Sequence, residues 1–387
     1  MKSPLGLYIH IPFCRSKCQY CDFCSFAPKE EEIVQRYIDA LILQMEDNAE
    51  VCRPYNVDSI YIGGGTPTYL DVKDLCRILD AVNENFRVDR DAEITVECNP
   101  ATVDRKYLTR LRRRGVNRLS LGLQSTFNNE LAALGRIHNY EDFIRTFEDA
   151  RAAGFDNISV DLMYGIPEQT EDSFTETLNR LIALSPEHLS LYALKIEDGT
   201  PFAEKKDSLP LPDDDTQFNM YITACDTLRR SGYEQYEISN FSKPGYASLH
   251  NLKYWHCDDY LGLGINAASY LDGERFQTIR DIDTYIEALE VMFNDIDIEA
   301  SRQKITSGEC MDEYVMLGMR LVEGVNAREF EERFHVSFEE KYGAKLRAYV
   351  EDGFVISDGK GTSFRFSPKG MFVSNYILSD VLSLGSD

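Results

Sequence analysis

The sequence predicts an α/β fold: a partly closed TIM-type (β/α)6 barrel followed by a smaller C-terminal unit. Three observations predict it. Apolar, β-rich runs alternate with helix-period segments, a Pro/Asp-rich stretch ends that alternation near 208, and the pattern turns helical beyond about 305. Strands are expected near 5–11, 57–62, 92–97, 116–123, 156–162 and 187–195. After the first, EEEIVQRYIDALILQMEDNA at 30–49 places Ile33, Tyr37, Leu41 and Met45 four apart on one helix face, and 72–82 and 141–152 behave similarly. Repeated βα units imply a parallel sheet whose chemistry comes from the loops after the strands' C-terminal ends. The linker SLPLPDDD at 208–215 opens a further mixed segment that runs to about 295. The expected units are the barrel at 1–207, the linker and mixed extension at 208–304, and the C-terminal unit at 305–387.

In that last unit, helices are expected near 309–321, 326–335 and 338–352, then short strands around Gly359 and Gly361, then a helix from 368. The order resembles a winged helix. Its 9 basic against 14 acidic residues from 308 onward argue for a packing or partner role rather than DNA binding. The whole chain points the same way: 65 acidic against 41 basic residues give a net charge of −24, which opposes phosphate backbones as partners. With 387 residues and 43% hydrophobic content a large core can form, and no apolar run is long enough to span a membrane.

Three cysteines carry the clearest chemistry. Cys14, Cys18 and Cys21 in CRSKCQYC follow the first expected strand, where a βα fold places its reactive loops. Three thiolates can hold an iron-sulfur cluster and leave one iron open. A closed zinc site, with Cys24 or His10 as the fourth ligand, is the competing use of the same thiols, although no second Cys/His hook of matching spacing follows. Ten scattered cysteines and no opening secretory pattern make a reducing cytoplasm the expected compartment, and Cys52, Cys76, Cys98, Cys225, Cys257 and Cys310 read as free core thiols.

The run YIHIPFCRSKCQYCDF at 8–23 resembles the radical S-adenosylmethionine (SAM) superfamily, and within it the branch of anaerobic coproporphyrinogen III dehydrogenases and their relatives, the HemW haem chaperones. The resemblance implies a 4Fe-4S cluster on the CxxxCxxC loop, SAM chelated by the open iron, and one-electron cleavage to a 5'-deoxyadenosyl radical. The motif GGGTP ends the second strand, where glycines let backbone approach a ligand and expose N–H donors. By resemblance Gly64, Gly65 and Thr66 touch SAM. Glu97, closing the third strand, is a candidate acceptor for its amino or ribose groups, or a cap for the following helix. Gln124 in GLQS, Arg136 in LGRIHN and Asp161 in VDLMYGIP resemble the polar positions lining that pocket; Arg136 suits a carboxylate contact. Tyr8 and the backbone of Tyr20 complete the surroundings, with core packing the alternative for Tyr8.

The segment HNLKYW at 250–255 resembles the HNxxYW signature of the HemW family. It reads as an aromatic-rich loop in which His250 is the axial or docking haem ligand, Tyr254 and Trp255 pack a porphyrin face, and Asn251 orients the site; His256 and Cys257 are rival ligands. Two functions follow. One is a cytoplasmic haem chaperone that holds the cluster, SAM and haem and passes haem to an acceptor protein, with a cluster-favoured homodimer left open. The other is oxidative decarboxylation of coproporphyrinogen III. The dehydrogenases carry a fourth cysteine two positions after the third, where this chain has Phe23, with Cys24 one position later, and they carry a longer segment before the cluster motif than the thirteen residues here. Both departures favour the chaperone.

Overall fold

A computed structural model describes residues 2–291 and 296–382. Six parallel strands form its centre: β1 (Ser3–Ile11), β2 (Tyr55–Gly64), β3 (Val88–Cys98), β4 (Arg118–Gln124), β5 (Ile158–Tyr164) and β6 (His188–Ala193), each paired with the next. Their side chains alternate between two environments. Leu5, Leu7, Ile9, Val96, Leu119, Leu121, Val160 and Leu189 join the apolar core, which also takes in the helices Glu31–Asn48, Val72–Asn85, Tyr140–Ala152 and Glu171–Leu184. The intervening positions are polar: Glu93, Thr95 and Glu97 on β3, Arg118 and Ser120 on β4, Ser159 and Asp161 on β5, His188 and Ser190 on β6. A strand alternates faces with a period of two, so the barrel has an apolar exterior beneath helices and a polar interior. Helix starts follow sequence chemistry, as at Asn139 and Thr170, each of which forms a capping box.

The sheet is wider than the six expected strands. The segment after 208 supplies β7 (Glu234–Gln235) and β8 (Asn240–Ser242), with β8 antiparallel to β6. It also supplies β9 (Tyr260–Leu263), parallel to β1, and then β10 (Ala268–Leu271), β11 (Glu274–Thr278) and β12 (Glu299–Lys304). The mixed extension therefore lines both edges of the barrel sheet, giving the order β12-β11-β10-β9-β1-β2-β3-β4-β5-β6-β8-β7. Its expected end near 295 lies outside the described residues.

The C-terminal unit follows the winged-helix expectation. Helices Ser307–Gly318, Ala327–Phe334 and Ala344–Glu351 surround an antiparallel sheet of β13 (Val325–Asn326), β14 (Val355–Ser357) and β15 (Ser363–Phe366). Gly359 and Gly361, with φ of 73° and 70°, turn the β14–β15 wing through conformations that glycine adopts freely. Phe330, Phe338, Tyr342 and Phe364 fill its core. Val322 N donates to Tyr236 O at 3.0 Å, tying the unit to the barrel edge. No helix among the described residues is long and apolar enough to cross a membrane.

Candidate cofactor site and the family

The loop after β1 carries Cys14, Cys18 and Cys21 over the C-terminal ends of the strands, held there by backbone bonds. Cys14 N donates to Phe26 O at 3.0 Å, Phe26 N to Pro12 O at 2.9 Å, Gln19 N to Leu134 O at 3.0 Å, and Phe202 N to Gln19 O at 3.0 Å. All three thiols line one cavity of about 350 Å³, together with Tyr20, Gly64, Gly65, Thr66, Glu97, Gln124, Arg136 and Asp161. Eleven positions singled out from the sequence thus converge on one space. Gln124 reaches it through a register shift between β4 and β5 and a φ of 73°, a left-handed backbone that re-aims the side chain at the strand end. Tyr8 stands behind the wall, its hydroxyl 2.9 Å from His10 Nδ1 and its ring stacked on Tyr61 at 6.4 Å.

The GGGTP turn differs from expectation. Its N–H groups are engaged inside the protein: Gly64 N donates to Glu97 Oε2 at 3.0 Å, Gly65 N to Ile11 O at 2.8 Å and Thr66 N to Phe13 O at 2.8 Å. What the glycines provide is close approach. A Cβ on Gly65 would lie 2.8 Å from Phe13 O and 3.0 Å from Cys14 Sγ, and one on Gly64 would enter the His10 ring at 2.5 Å.

A hydrogen-bond chain that sequence reading missed supports the thiols. Thr66 Oγ1 donates to Cys14 Sγ at 3.6 Å, Asn99 Nδ2 to Thr66 Oγ1 at 2.6 Å, and Arg136 Nη2 to Asn99 Oδ1 at 2.6 Å. Arg136 Nη1 donates to Cys18 Sγ at 3.6 Å and Nη2 also reaches Gly122 O at 2.6 Å, while its buried Nε has no partner. Donors aimed at sulfur favour thiolate over thiol, against burial, which pushes the Cys14 and Cys21 thiols up. His10 and Cys24, the alternative fourth ligands, are occupied elsewhere: the His10 ring nitrogens meet Tyr8 Oη and the Cys24 carbonyl at 2.8 Å, and Cys24 packs in the apolar core.

The cavity also holds two acidic groups. Glu97 accepts from Tyr61 Oη at 2.9 Å and from Gly64 N; burial, then the neighbouring Asp161, pushes its carboxyl up to about 7. Asp161, raised by burial, accepts from Ser120 Oγ at 3.1 Å. Two carboxyls and a guanidinium in one cavity with three thiols fit a zwitterionic, cationic ligand next to a thiolate-bound cluster.

Comparison with known proteins agrees with this geometry. Residues 8–181 match the radical SAM superfamily and residues 305–373 match the HemN C-terminal domain. The haem chaperone HemW of Lactococcus lactis is 33% identical over 386 residues, 99% of this chain and 98% of the relative. The chain belongs to the HemW haem chaperone family. The Escherichia coli HemW is 39% identical over 280 residues, covering 72% of this chain and 74% of that protein. A solved structure of the coproporphyrinogen III oxidase HemN from Escherichia coli, a radical SAM enzyme, superposes with a TM-score of 0.87 at 25% identity, covering 99% of this chain and 91% of that one.

The HemW-type hexapeptide HNLKYW does not form a loop. It lies in a helix, Leu249–His256, capped by Ser248 and ended by Cys257 in the left-handed region, φ 56°. This helix closes the barrel below the cavity and is here called the floor helix. The imidazole of His250 does not face outward: it is buried, with Nδ1 3.0 Å from Ser59 Oγ and Nε2 2.8 Å from Tyr254 Oη, so both ring nitrogens are occupied. Lys253 is also buried and pairs with Asp58 Oδ2 at 2.9 Å. Asn251, Tyr254 and Trp255 are half-buried, whereas His256 is 43% exposed, 3.3 Å from Glu323 Oε1.

Proposed function

We propose that this chain binds a 4Fe-4S cluster on Cys14, Cys18 and Cys21, SAM in the adjoining cavity and haem at the floor helix, and that it delivers haem to an acceptor protein in the cytoplasm. The observation that supports the first two is the convergence of three thiols, two carboxyls and Arg136 on one cavity. Bound there, the two cofactors supply one-electron chemistry. The chain's own residues do the rest. Glu97 and Asp161 receive the cationic end of the ligand, the positive charge of Arg136 favours its carboxylate, Tyr20, Gly64, Gly65, Thr66 and Gln124 shape the wall, and Tyr8 backs it. Haem rests on the family's name and on HNLKYW. Asn251, Tyr254 and Trp255 give a partly exposed aromatic surface, and His256 is the imidazole available beside it; His250 would first have to release Ser59 and Tyr254.

Coproporphyrinogen decarboxylation is the second reading, favoured by the likeness to the HemN oxidase structure. One anaerobically reconstituted sample separates them. Haem titration is expected to give binding that His256→Ala weakens, and incubation with coproporphyrinogen, SAM and reductant is expected to yield no protoporphyrinogen. Product formation without haem binding would reverse the order of the two readings. Serine at Cys14, Cys18 or Cys21 is expected to abolish iron retention, and Cys24→Ser to preserve it; loss of iron from the Cys24 variant would give the cluster a fourth protein ligand and remove the vacancy SAM needs.

A further inference from the structure

The floor helix is joined to the cofactor cavity through the barrel interior. Its first turn is anchored on β3, where Glu93 accepts from Ser248 Oγ at 3.3 Å, Leu249 N at 3.2 Å and His250 N at 3.1 Å. Four residues along the same strand and on the same face stands Glu97, which lines the cavity. Between the two lies Tyr61. Its ring is stacked with His250, centroids 5.4 Å apart and planes 28° apart, and with Tyr8 at 27°, while its hydroxyl donates to Glu97.

We propose that His250 is a positioning residue for the cofactor cavity: clamped by Ser59 and Tyr254, its ring holds Tyr61 where the phenol hydroxyl seats the Glu97 carboxylate. The proposal rests on the reading of this cavity as the SAM site. The phenol oxygen lies on the axis of ring rotation, so it leaves Glu97 only when the side chain swings about its Cα–Cβ bond, and the His250 ring stacked 5.4 Å from the Tyr61 ring opposes that swing. Histidine suits the fixing position. The imidazole is flat enough to stack and takes a hydroxyl partner on each nitrogen. Burial, then nearby Lys253 and Arg118, keeps it neutral by pushing it down to about 3, so no further positive charge is added beside those two. The packing is close. A Cβ on Gly6 of β1 would lie 3.3 Å from both His250 Cε1 and Ser59 Oγ.

This role separates His250 from iron ligation, and binding measurements distinguish the two. Glu97 is faced by Tyr8 of β1, Tyr61 of β2, Arg118 of β4, Asp161 of β5 and Tyr254 of the floor helix. Of these, Tyr61 supplies the hydroxyl that stabilises the carboxylate. Losing a bond to a charged, buried acceptor weakens binding by about tenfold or more. Equilibrium dialysis of SAM against cluster-reconstituted protein, across a pH series, is the test. Tyr61→Phe and His250→Phe are each expected to bind about tenfold more weakly, to move the acidic limit of binding to higher pH, and to be non-additive when combined. Cluster absorbance checks that each variant is loaded. If His250→Phe does not fold, Tyr254→Phe, which deletes one clamp hydroxyl and keeps the ring, is expected to show the same shift in smaller measure. Binding curves that superimpose on the parent's at every pH overturn the proposal while leaving the SAM reading intact. A parent protein that binds no SAM overturns both.

Discussion

Glu97 concentrates the electrostatics of the cavity in one group. Its carboxyl stands at about 7 when folded, against an ordinary value of 4.5, because burial and then Asp161 disfavour the charge more than Tyr61 and Gly64 restore it. A carboxyl raised by folding binds its proton more tightly in the native state. The resulting stability is full below about 4.5 and is lost as pH climbs to about 7. Glu97→Gln, which keeps an acceptor oxygen, is therefore expected to match the parent near pH 4 and to exceed it by a few kcal/mol above pH 7, in denaturant unfolding of the cofactor-free protein. A constant difference across that range would mean that Glu97 is not the group responsible. Gly65 makes a steric counterpart. With Cys14 Sγ at 3.0 Å and Phe13 O at 2.8 Å from any added Cβ, Gly65→Ala is expected to cost about 1–3 kcal/mol and to lower iron content by displacing Cys14.

The floor helix shows what a short element needs. With eight residues it is too short to persist alone, so its anchors decide its place. Glu93 receives three donors from its first turn, and Lys253 reaches Asp58 from within. Glu93→Ala leaves those donors buried without an acceptor and is expected to destabilise the protein by about 2–3 kcal/mol, read as a lower unfolding midpoint in urea. A midpoint within error of the parent would show that the anchor is replaceable. Anchored this way, the helix presents His250 and Lys253 to the interior and leaves His256 toward solvent, which is why a hexapeptide read as a ligand loop becomes part of the barrel's closure.

Across the molecule, the cysteine loop is tied to several distant parts of the chain: Gln19 to Leu134 and Phe202, Cys14 to Phe26 and Thr66. A cluster held by Cys14, Cys18 and Cys21 would cross-link the 14–21 loop, which hydrogen bonds already tie to Thr66 after β2 and to Leu134, and binding free energy gained there adds to folding free energy. Reconstituted protein is expected to unfold several degrees higher than cofactor-free protein and to resist proteolysis between 12 and 26. Removing iron by chelation is expected to reverse both effects. Equal midpoints for the two forms would show that the loop is already fully organised by its hydrogen bonds.

Much of this architecture was legible in the chain. The six central strands and the helices between them follow from apolar runs and period-four faces, and Cys14, Cys18, Cys21 and Glu97 stand at or just after strand ends because a βα repeat puts loops there, whereas Asp161, expected at a strand tip, lies in the middle of β5 and faces the interior. These signals are local, so a linear reading captures them. The short strands β7 to β12, of two to six residues, carry too little periodicity to register. The polar alternation Arg118, Ser120 and His188, Ser190 was present but describes an interior only once the barrel closes. Asn99 and Tyr61 acquire roles because register sets them beside Thr66 and Glu97, and the inward turn of His250 follows from Ser59 and Glu93, 191 and 157 residues away. Spacing and composition specify which groups are carried and on which kind of element. Partners so remote along the chain are chosen by folding, because hydrogen bonding and burial act through space.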